Sequence, residues 1–213
     1  MSKLWRSFVQ SVAVGYQAGN NGSSYGVAIG YQALGNQNGG TANIAIGQYA
    51  MSGGVGTTNN NTVIGWASML NASNSSNNTV VGCEALRSIT SGDSHVAIGV
   101  GALRNTTTGS NNAVLGQGAM FSNTTGSDNV AIGQAAAYFN TTGGSNTAIG
   151  RSAATGNFSG SVIIGMSATA TANNQFVVGS ASVNAGAVTT EVLPSTQTWS
   201  VKINGTDYKI LLA

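Results

Sequence analysis

The sequence predicts an all-β fold, a parallel β-solenoid of about eleven coils, from two observations. A short aliphatic run that ends in glycine recurs eleven times, at steps of 15, 17, 18, 17, 17, 17, 17, 17, 15 and 14 residues. Turn-forming Gly, Asn, Ser and Thr fill much of each repeat, and only 6% of the residues are charged. A repeat this short holds little more than a strand and its return, and it buries an apolar face only by stacking on its neighbours. The repeat glycines are Gly15, Gly30, Gly47, Gly65, Gly82, Gly99, Gly116, Gly133, Gly150, Gly165 and Gly179.

Each repeat begins with a short β-strand, formed by the three residues before the glycine. These residues are mostly β-branched, and they are largely apolar on both strand parities. Because successive strand side chains point to opposite faces, such a run is expected to be buried on both faces. Copies of the same chain are the simplest cover for the outer face. We therefore expect a homo-oligomer, in which the small residues two before each glycine, the central column, meet another subunit. The central column is Ala13, Ala28, Ala45, Val63, Val80, Ala97, Val114, Ala131, Ala148, Ile163 and Val177.

The residues around the strand predict how the coil continues. Ala is the third residue after the glycine in nine repeats and is often followed by Leu or Met, which predicts a second, tighter strand. Asn is the fourth residue before the glycine in six repeats, for example at Asn112 and Asn129. Asn suits the turn that enters the strand, and it also suits a hydrogen-bonded ladder along the stack. The sequence leaves both roles open.

Polar loops complete the middle coils and are the candidate recognition loops. A threonine column recurs there at the 17-residue step, next to glycines that belong in surface turns. Aromatic residues precede some of these turns, where an exposed ring is costly unless it binds a partner or packs under the loop. The candidate recognition residues are Thr107, Thr124, Thr141, Phe121, Tyr138 and Phe139.

The chain is predicted to have three parts: a repeat head over residues 11–183, flanked by segments 1–10 and 184–213. The N-terminal segment is interpreted as a cap or as a peptide that anchors the protein in a virion. Its candidate anchor residues are Leu4, Trp5 and Phe8. The C-terminal segment is expected to be a β-hairpin, because Asn204-Gly205 is a strong two-residue turn signal. The hairpin would cap the open strand edge of the solenoid and help to set the subunit register.

No catalytic, metal or cofactor site is predicted, and the chain is not expected to be an enzyme. The five acidic residues form no evident acid–base pair, and the glycines hold the repeat register and so do not form a phosphate loop. His95, the one histidine, takes the place of the repeated asparagine, which favours a structural role. The alternative is that three His95 side chains converge in an oligomer and bind a metal or an anion.

Charge and hydropathy exclude several partners. The formal net charge is +2, and the basic residues form no run, so no nucleic-acid partner is expected. The single cysteine, Cys83, excludes an intrachain disulfide framework. No stretch approaches the ~20 apolar residues of a membrane helix, and the N-terminus lacks the apolar region of a secretion signal. We therefore expect no membrane insertion.

The repeat pattern Asn-x-Val-Ala-Ile-Gly-x-x-Ala is specific enough to suggest a family. Segments 96–102 and 129–136 match it closely, and the pattern covers about residues 11–183. It resembles the head repeat of trimeric adhesins of the YadA type. The resemblance implies a left-handed parallel β-roll, with three chains around one axis and the apolar strand toward the trimer interior. The 17-residue coil is longer than the usual head repeat. The heptad stalk, the membrane β-barrel segment and the signal peptide of that family are also missing from this sequence.

These departures favour the form of the repeat found in bacteriophage fibre and appendage proteins, and the initial Met and the cap-like end favour a complete protein. We expect a structural virion fibre or spike: a homotrimer that assembles with other capsid or tail proteins in the host cytoplasm. On the virion surface it would present a host-attachment surface to a glycan or protein of the host cell. One alternative is the head fragment of a bacterial trimeric adhesin on the cell surface. Another is an ice-binding solenoid, suggested by the threonine column.

Overall fold

The chain forms one parallel sheet of short strands and a separate antiparallel pair. The computed structural model describes residues 11–20, 26–36 and 40–179, together with the backbone of 198–203 and 206–211. The chain divides into two units, Met1–Val183 and Asn184–Ala213. The strands are β1 (Val12–Val14), β2 (Val27–Ile29), β3 (Ile44–Ile46), β4 (Thr62–Ile64), β5 (Thr79–Val81), β6 (Val96–Ile98), β7 (Ala113–Leu115), β8 (Val130–Ile132), β9 (Thr147–Ile149), β10 (Val162–Ile164), β11 (Phe176–Val178), β12 (Thr198–Ile203) and β13 (Thr206–Leu211).

Strands β1 to β11 pair in parallel and in sequence order. Equivalent positions of successive repeats face each other, so that Ala97 pairs with Val114 and Val114 pairs with Ala131. Each repeat therefore adds one strand to the stack. The predicted all-β fold and its parallel solenoid are confirmed, and the periodic sequence is the reason, because every repeat supplies the same strand at the same offset.

Glycine ends each strand because a side chain at that position would collide with the next coil. Gly150 has a φ of +132°, a conformation that residues with a side chain rarely adopt. A Cβ atom added to Gly150 would lie 2.6 Å from the carbonyl carbon and oxygen of Gly165, one coil further on. The repeat glycines from Gly15 to Gly165 share this conformation, with φ between 124° and 144°. The glycine register thus reflects direct backbone stacking.

Within the described residues, a tight turn replaces the predicted second strand of the coil. In the coil of Gly99, Gly101 and Leu103 have φ of 65° and 53°, which is left-handed and incompatible with a strand. The Ala102 N–H donates to the Gly99 carbonyl at 3.2 Å and closes the turn. The turn places the Leu103 side chain in the core, fully buried. Burying a leucine contributes about 1.5–3 kcal/mol, which offsets a left-handed cost of roughly 1–2 kcal/mol.

The core of the solenoid is narrow and is filled by three columns of side chains. The central column, the alanine three residues after each glycine and the Leu or Met that follows it point inward. Ala97, Ala102 and Leu103, for example, have no solvent exposure. The largest apolar side chains of the turn that are buried are Leu34, Met51, Met69, Leu86, Leu103 and Met120. Alanine recurs because each coil encloses so little space.

The C-terminal unit contains the strand pair of the expected hairpin. Strands β12 and β13 pair antiparallel, with Thr198 opposite Leu211 at one end. The Asn204-Gly205 turn lies outside the described residues. The expected N-terminal anchor residues lie outside them as well, and they are Leu4, Trp5 and Phe8.

Candidate functional site

The outer face of the parallel sheet is mostly apolar, with threonine at one position of three strands. This apolar strand face consists of the residues one and three positions before each repeat glycine, on strands β1 to β11. Twelve of its large hydrophobic side chains are between 37% and 73% exposed, and the others, such as Val81 and Ile98, are half-buried. The twelve exposed ones are Val12, Val14, Ile29, Ile44, Ile64, Val96, Leu115, Ile132, Ile149, Ile164, Phe176 and Val178. The ladder pairing brings these side chains into continuous rows.

The structure corrects the predicted interface residues. Side chains of the central column point into the coil, because they alternate with those of the apolar strand face. The nine inner members are buried by their own chain: Ala28, Ala45, Val63, Val80, Ala97, Val114, Ala131, Ala148 and Ile163. At the two terminal strands, Ala13 is exposed and Val177 is half-buried. A second subunit would therefore meet the neighbouring residues on the apolar strand face.

The repeated asparagines form a continuous ladder inside the solenoid. Asn129 is typical: its Oδ1 accepts the backbone N–H of Asn146 at 3.0 Å and the Asn146 Nδ2–H at 3.1 Å. Its own Nδ2 donates to the Gly143 carbonyl in the following loop at 3.0 Å. The ladder residues are all buried, and they are Asn43, Asn61, Asn78, Asn112, Asn129 and Asn146. The asparagines have both roles that the sequence left open. Their side-chain amides form the ladder between coils, and they also bond a carbonyl of the loop that leads into the next strand.

His95 substitutes for an asparagine in this ladder. Its backbone N–H donates to Asn78 Oδ1 at 2.8 Å, and its Nδ1 accepts the Asn112 N–H at 3.3 Å. Its Nε2 lies 2.7 Å from the Gly109 carbonyl, so Nε2 carries the proton and donates it. Burial lowers the pKa of His95 below its usual 6.5, whereas the Gly109 carbonyl and Asp93 act in the opposite direction. The structural role predicted for His95 is confirmed in the single chain.

The described residues bring together no candidate metal site. No group of three or more His, Cys, Asp or Glu side chains comes together among them. Cys83 is a half-buried free thiol. The same part of the chain contains no helix with the length and hydropathy to cross a membrane.

The candidate recognition threonines donate their hydroxyl protons within the stack. Thr107 Oγ1 donates to the Thr124 carbonyl at 3.1 Å, and Thr124 Oγ1 donates to the Thr141 carbonyl at 2.9 Å. Thr141 Oγ1 donates to Asn157 Oδ1 at 3.0 Å. All three side chains are half-buried, whereas the next residue in each loop, such as Thr125, faces solvent. The predicted column therefore links the coils, and the column beside it is the outer surface.

A second internal ladder was missed by the sequence analysis. Asn140 Nδ2 donates to Asn123 Oδ1 at 3.0 Å and to the Gly143 carbonyl at 2.9 Å, and Thr155 Oγ1 donates to Asn140 Oδ1 at 2.9 Å. Asn123 Nδ2 in turn donates to Thr106 Oγ1 at 3.3 Å. The signal was available, since Thr106, Asn123 and Asn140 recur at the 17-residue step. The two preceding coils have Ala72 and Ile89 at this position. The polar column therefore covers only a few coils, and its members resembled ordinary loop residues.

Three aromatic residues of the candidate recognition loops come together on the outer surface as an aromatic patch: Phe121, Tyr138 and Phe139. The Phe121 and Tyr138 rings stack in parallel, with centroids 5.1 Å apart and an interplanar angle of 1°. Phe139 meets Tyr138 edge to face at 4.8 Å and is itself 80% exposed. The Arg104 guanidinium lies 5.4 Å from the Phe121 ring centroid and makes a cation–π contact with this ring.

A small charge cluster adjoins the aromatic patch. Arg104 Nε and a terminal guanidinium nitrogen donate to the Glu84 carboxylate at 3.0 and 3.3 Å. Arg87 Nε lies 3.4 Å from the same carboxylate but makes no hydrogen bond. One carboxylate thus faces two guanidinium groups, and the cluster carries one positive charge in excess.

Comparison of the sequence and structure with known proteins adds no functional assignment. Searches of protein-family models, of curated proteins and of solved structures find no match.

Proposed function

We propose that this chain is a structural protein of a bacteriophage virion, a homotrimeric fibre or spike that presents a host-attachment surface. The observation that carries the proposal is the apolar strand face, because a single chain leaves twelve of its large hydrophobic side chains more than a third exposed.

An uncovered face of this kind is unfavourable for an isolated chain. Soluble monomers rarely expose continuous apolar patches larger than a few hundred Å², and burying such surface contributes roughly 25 cal/mol per Å². Copies of the same chain carry the same rows of apolar side chains at the same spacing. In an oligomer with closed rotational symmetry, the apolar strand face of every copy is therefore buried to the same extent. The number three rests on the resemblance to YadA-type heads, whose apolar strands face the trimer interior.

The internal bonding suits a rigid spacer. Backbone pairing joins each coil to the next. The asparagine ladder reinforces this pairing from Asn43 to Ser161, and the second ladder does so from Thr106 to Thr155. The ten steps between eleven strands, at ~4.8 Å each, give a stack of roughly 50 Å. Apart from Arg87 Nε, the buried side-chain N and O atoms of the described residues have hydrogen-bond partners, so the solenoid needs few charges to hold its coils together.

A trimeric rod also suits attachment. Each lateral surface would occur three times, so weak contacts with a host glycan or protein would reinforce one another through effective concentration. The resemblance to the heads of phage appendages supports assembly with capsid or tail proteins in the host cytoplasm and display on the virion surface.

The oligomeric state tests the proposal first. Light scattering on the purified chain is expected to give three times the monomer mass of 21.2 kDa. Leu115→Glu places a charge on the apolar strand face and is expected to abolish the trimer. Thr125→Glu, on an exposed loop, is the matched control and is expected to remain trimeric. A stable, soluble wild-type monomer would contradict the proposal.

The location of the protein tests the proposed place on the virion and the role in attachment. Antibodies raised against the rod are expected to label purified virions in electron micrographs and to slow phage adsorption. Labelling of a bacterial envelope in the absence of phage would favour the trimeric adhesin instead.

A further inference from the structure

The aromatic patch differs from the rest of the loop surface. The corresponding position in the two preceding coils is occupied by Asn105 and Ser122, whereas the coil of Gly133 places Phe139 there. Hydrogen bonds from Asn105 N–H to the Phe121 carbonyl and from Ser122 N–H to the Tyr138 carbonyl stack these segments. At this position an 80% exposed phenylalanine therefore follows a hydroxyl and an amide residue of the two preceding coils.

We propose that the aromatic patch, together with Glu84, Arg87 and Arg104, binds an acidic sugar of a cell-surface glycan. This inference rests on the proposed attachment function and names the site and ligand class. It has three supports: an exposed ring on a rigid base, an excess positive charge beside the Phe121 end of the same aromatic stack, and polar surroundings.

The rings form a preorganised platform. Tyr138 supports Phe139 from the side and is itself stacked on Phe121. The Phe121 ring in turn lies 3.3 Å from where a Cβ atom on Gly101 would be, and the Tyr138 ring lies 3.4 Å from the equivalent point on Gly118. Gly101 thus leaves room for the Phe121 ring, whereas the Tyr138 ring lies at ordinary contact distance from Gly118. A platform already ordered before binding loses little conformational entropy when the C–H face of a sugar ring packs on it.

The charge cluster favours an anionic ligand. The structure describes the side chains of three arginines, and two of them, Arg87 and Arg104, share one carboxylate, that of Glu84. Guanidinium groups bind carboxylates through paired hydrogen bonds, and they pack well beside aromatic rings. The excess positive charge therefore selects a sugar that carries a carboxylate over its neutral counterpart.

The polar surroundings favour a glycan over a peptide. An apolar peptide needs a concave hydrophobic site, whereas the equivalent positions in the coils on either side of Phe139 are Ser122 and Gly156, and Asn105 lies one coil beyond Ser122. Hydroxyl and amide groups around a single exposed ring match the alternation of C–H faces and hydroxyl groups on a sugar.

The test uses the full chain and a panel of acidic oligosaccharides: oligogalacturonates, hyaluronan fragments and sialylated lactose, each with its neutral counterpart. At least one acidic probe is expected to bind, at least about tenfold more tightly than its neutral counterpart, and more weakly as salt rises. Phe139→Ser, which installs the residue of the preceding coil, is expected to weaken binding about tenfold. Arg104→Gln is expected to remove the preference for the acidic form.

Val55→Ala is the control, because Val55 is 70% exposed and lies on another coil. It is expected to bind as the wild type does, and circular dichroism confirms that all variants are folded. The proposal is overturned if no acidic probe binds, if neutral probes bind equally well, if Phe139→Ser has no effect, or if only acidic peptides bind. A trimeric rod that labels virions but binds no acidic glycan would overturn this inference and leave the proposed function standing.

Discussion

His95 donates its Nε2 proton to the carbonyl oxygen of Gly109 across a distance of 2.7 Å, from inside the solenoid. The same ring accepts the Asn112 N–H at Nδ1. A neutral imidazole therefore forms hydrogen bonds with both the Gly109 carbonyl and the Asn112 N–H. A second proton on the ring would turn the acceptor into a donor that faces the Asn112 N–H. One histidine therefore makes the asparagine ladder sensitive to pH.

Stability is expected to fall in acid because of His95. Burial lowers the pKa of the native histidine below 6.5, so the unfolded chain binds the proton first as the pH drops. The free energy of unfolding should therefore decrease as the pH falls below about 6.5, until the native ring is also protonated. Chemical denaturation at pH 7.5 and pH 5 checks this. His95→Asn, which restores the ladder residue, should lose most of the pH dependence, and an unchanged slope would contradict the assignment.

Breaking the ladder is expected to be costly. In Asn129→Ala, the backbone N–H of Asn146 loses its acceptor while it remains buried, together with the Asn146 side-chain amide. The expected loss is about 2–4 kcal/mol of unfolding free energy. Thr125→Ala, an exposed loop position in the same coil, should change it by less than about 0.5 kcal/mol. Equal effects of the two substitutions would contradict the buried ladder.

The repeat glycine is expected to tolerate no side chain. Gly150→Ala combines a φ of +132° with a Cβ only 2.6 Å from the Gly165 carbonyl, so the coils must separate. We expect a loss of more than about 3 kcal/mol or failure to fold. Gly118→Ala is the control: its φ of 64° is close to the 55° of Ala135 one coil later, and its Cβ makes ordinary contacts with Tyr138. It should cost about 1 kcal/mol, measured by the same denaturation.

Substitutions of the adjacent strand residues Val114 and Leu115 are expected to affect folding stability and subunit association, respectively. Val114 is 1% exposed, so Val114→Ala should lower the unfolding free energy by about 2 kcal/mol. Leu115 is 49% exposed in the single chain, so Leu115→Ala should mainly weaken the proposed trimer. Thermal unfolding at several protein concentrations separates the two effects. Concentration dependence that responds to Val114 and not to Leu115 would reverse the assignment of the faces.

The repeat could be predicted from the sequence because the same physical demand recurs in every coil. A glycine such as Gly150 must recur where backbones stack, and a β-branched strand must precede it. The roles of single positions were harder to predict. The residues after Gly99 resemble a strand in composition, yet Gly101 and Leu103 adopt left-handed conformations. Only the closure of the coil requires that turn, because the chain must reverse within a few residues to bury Leu103.

The sequence by itself determined the all-β class, the parallel stacking and the spacing of the coils, because periodic glycines and apolar strands allow little else. Tertiary structure decided which strand face points inward, so that Ala97 is enclosed while its neighbour Val96 remains 41% exposed. A run that is apolar at every position carries no alternation from which to read that choice. The structure also brought Arg104, Phe121 and Tyr138 together, since residues 17 apart become neighbours only when the coils stack.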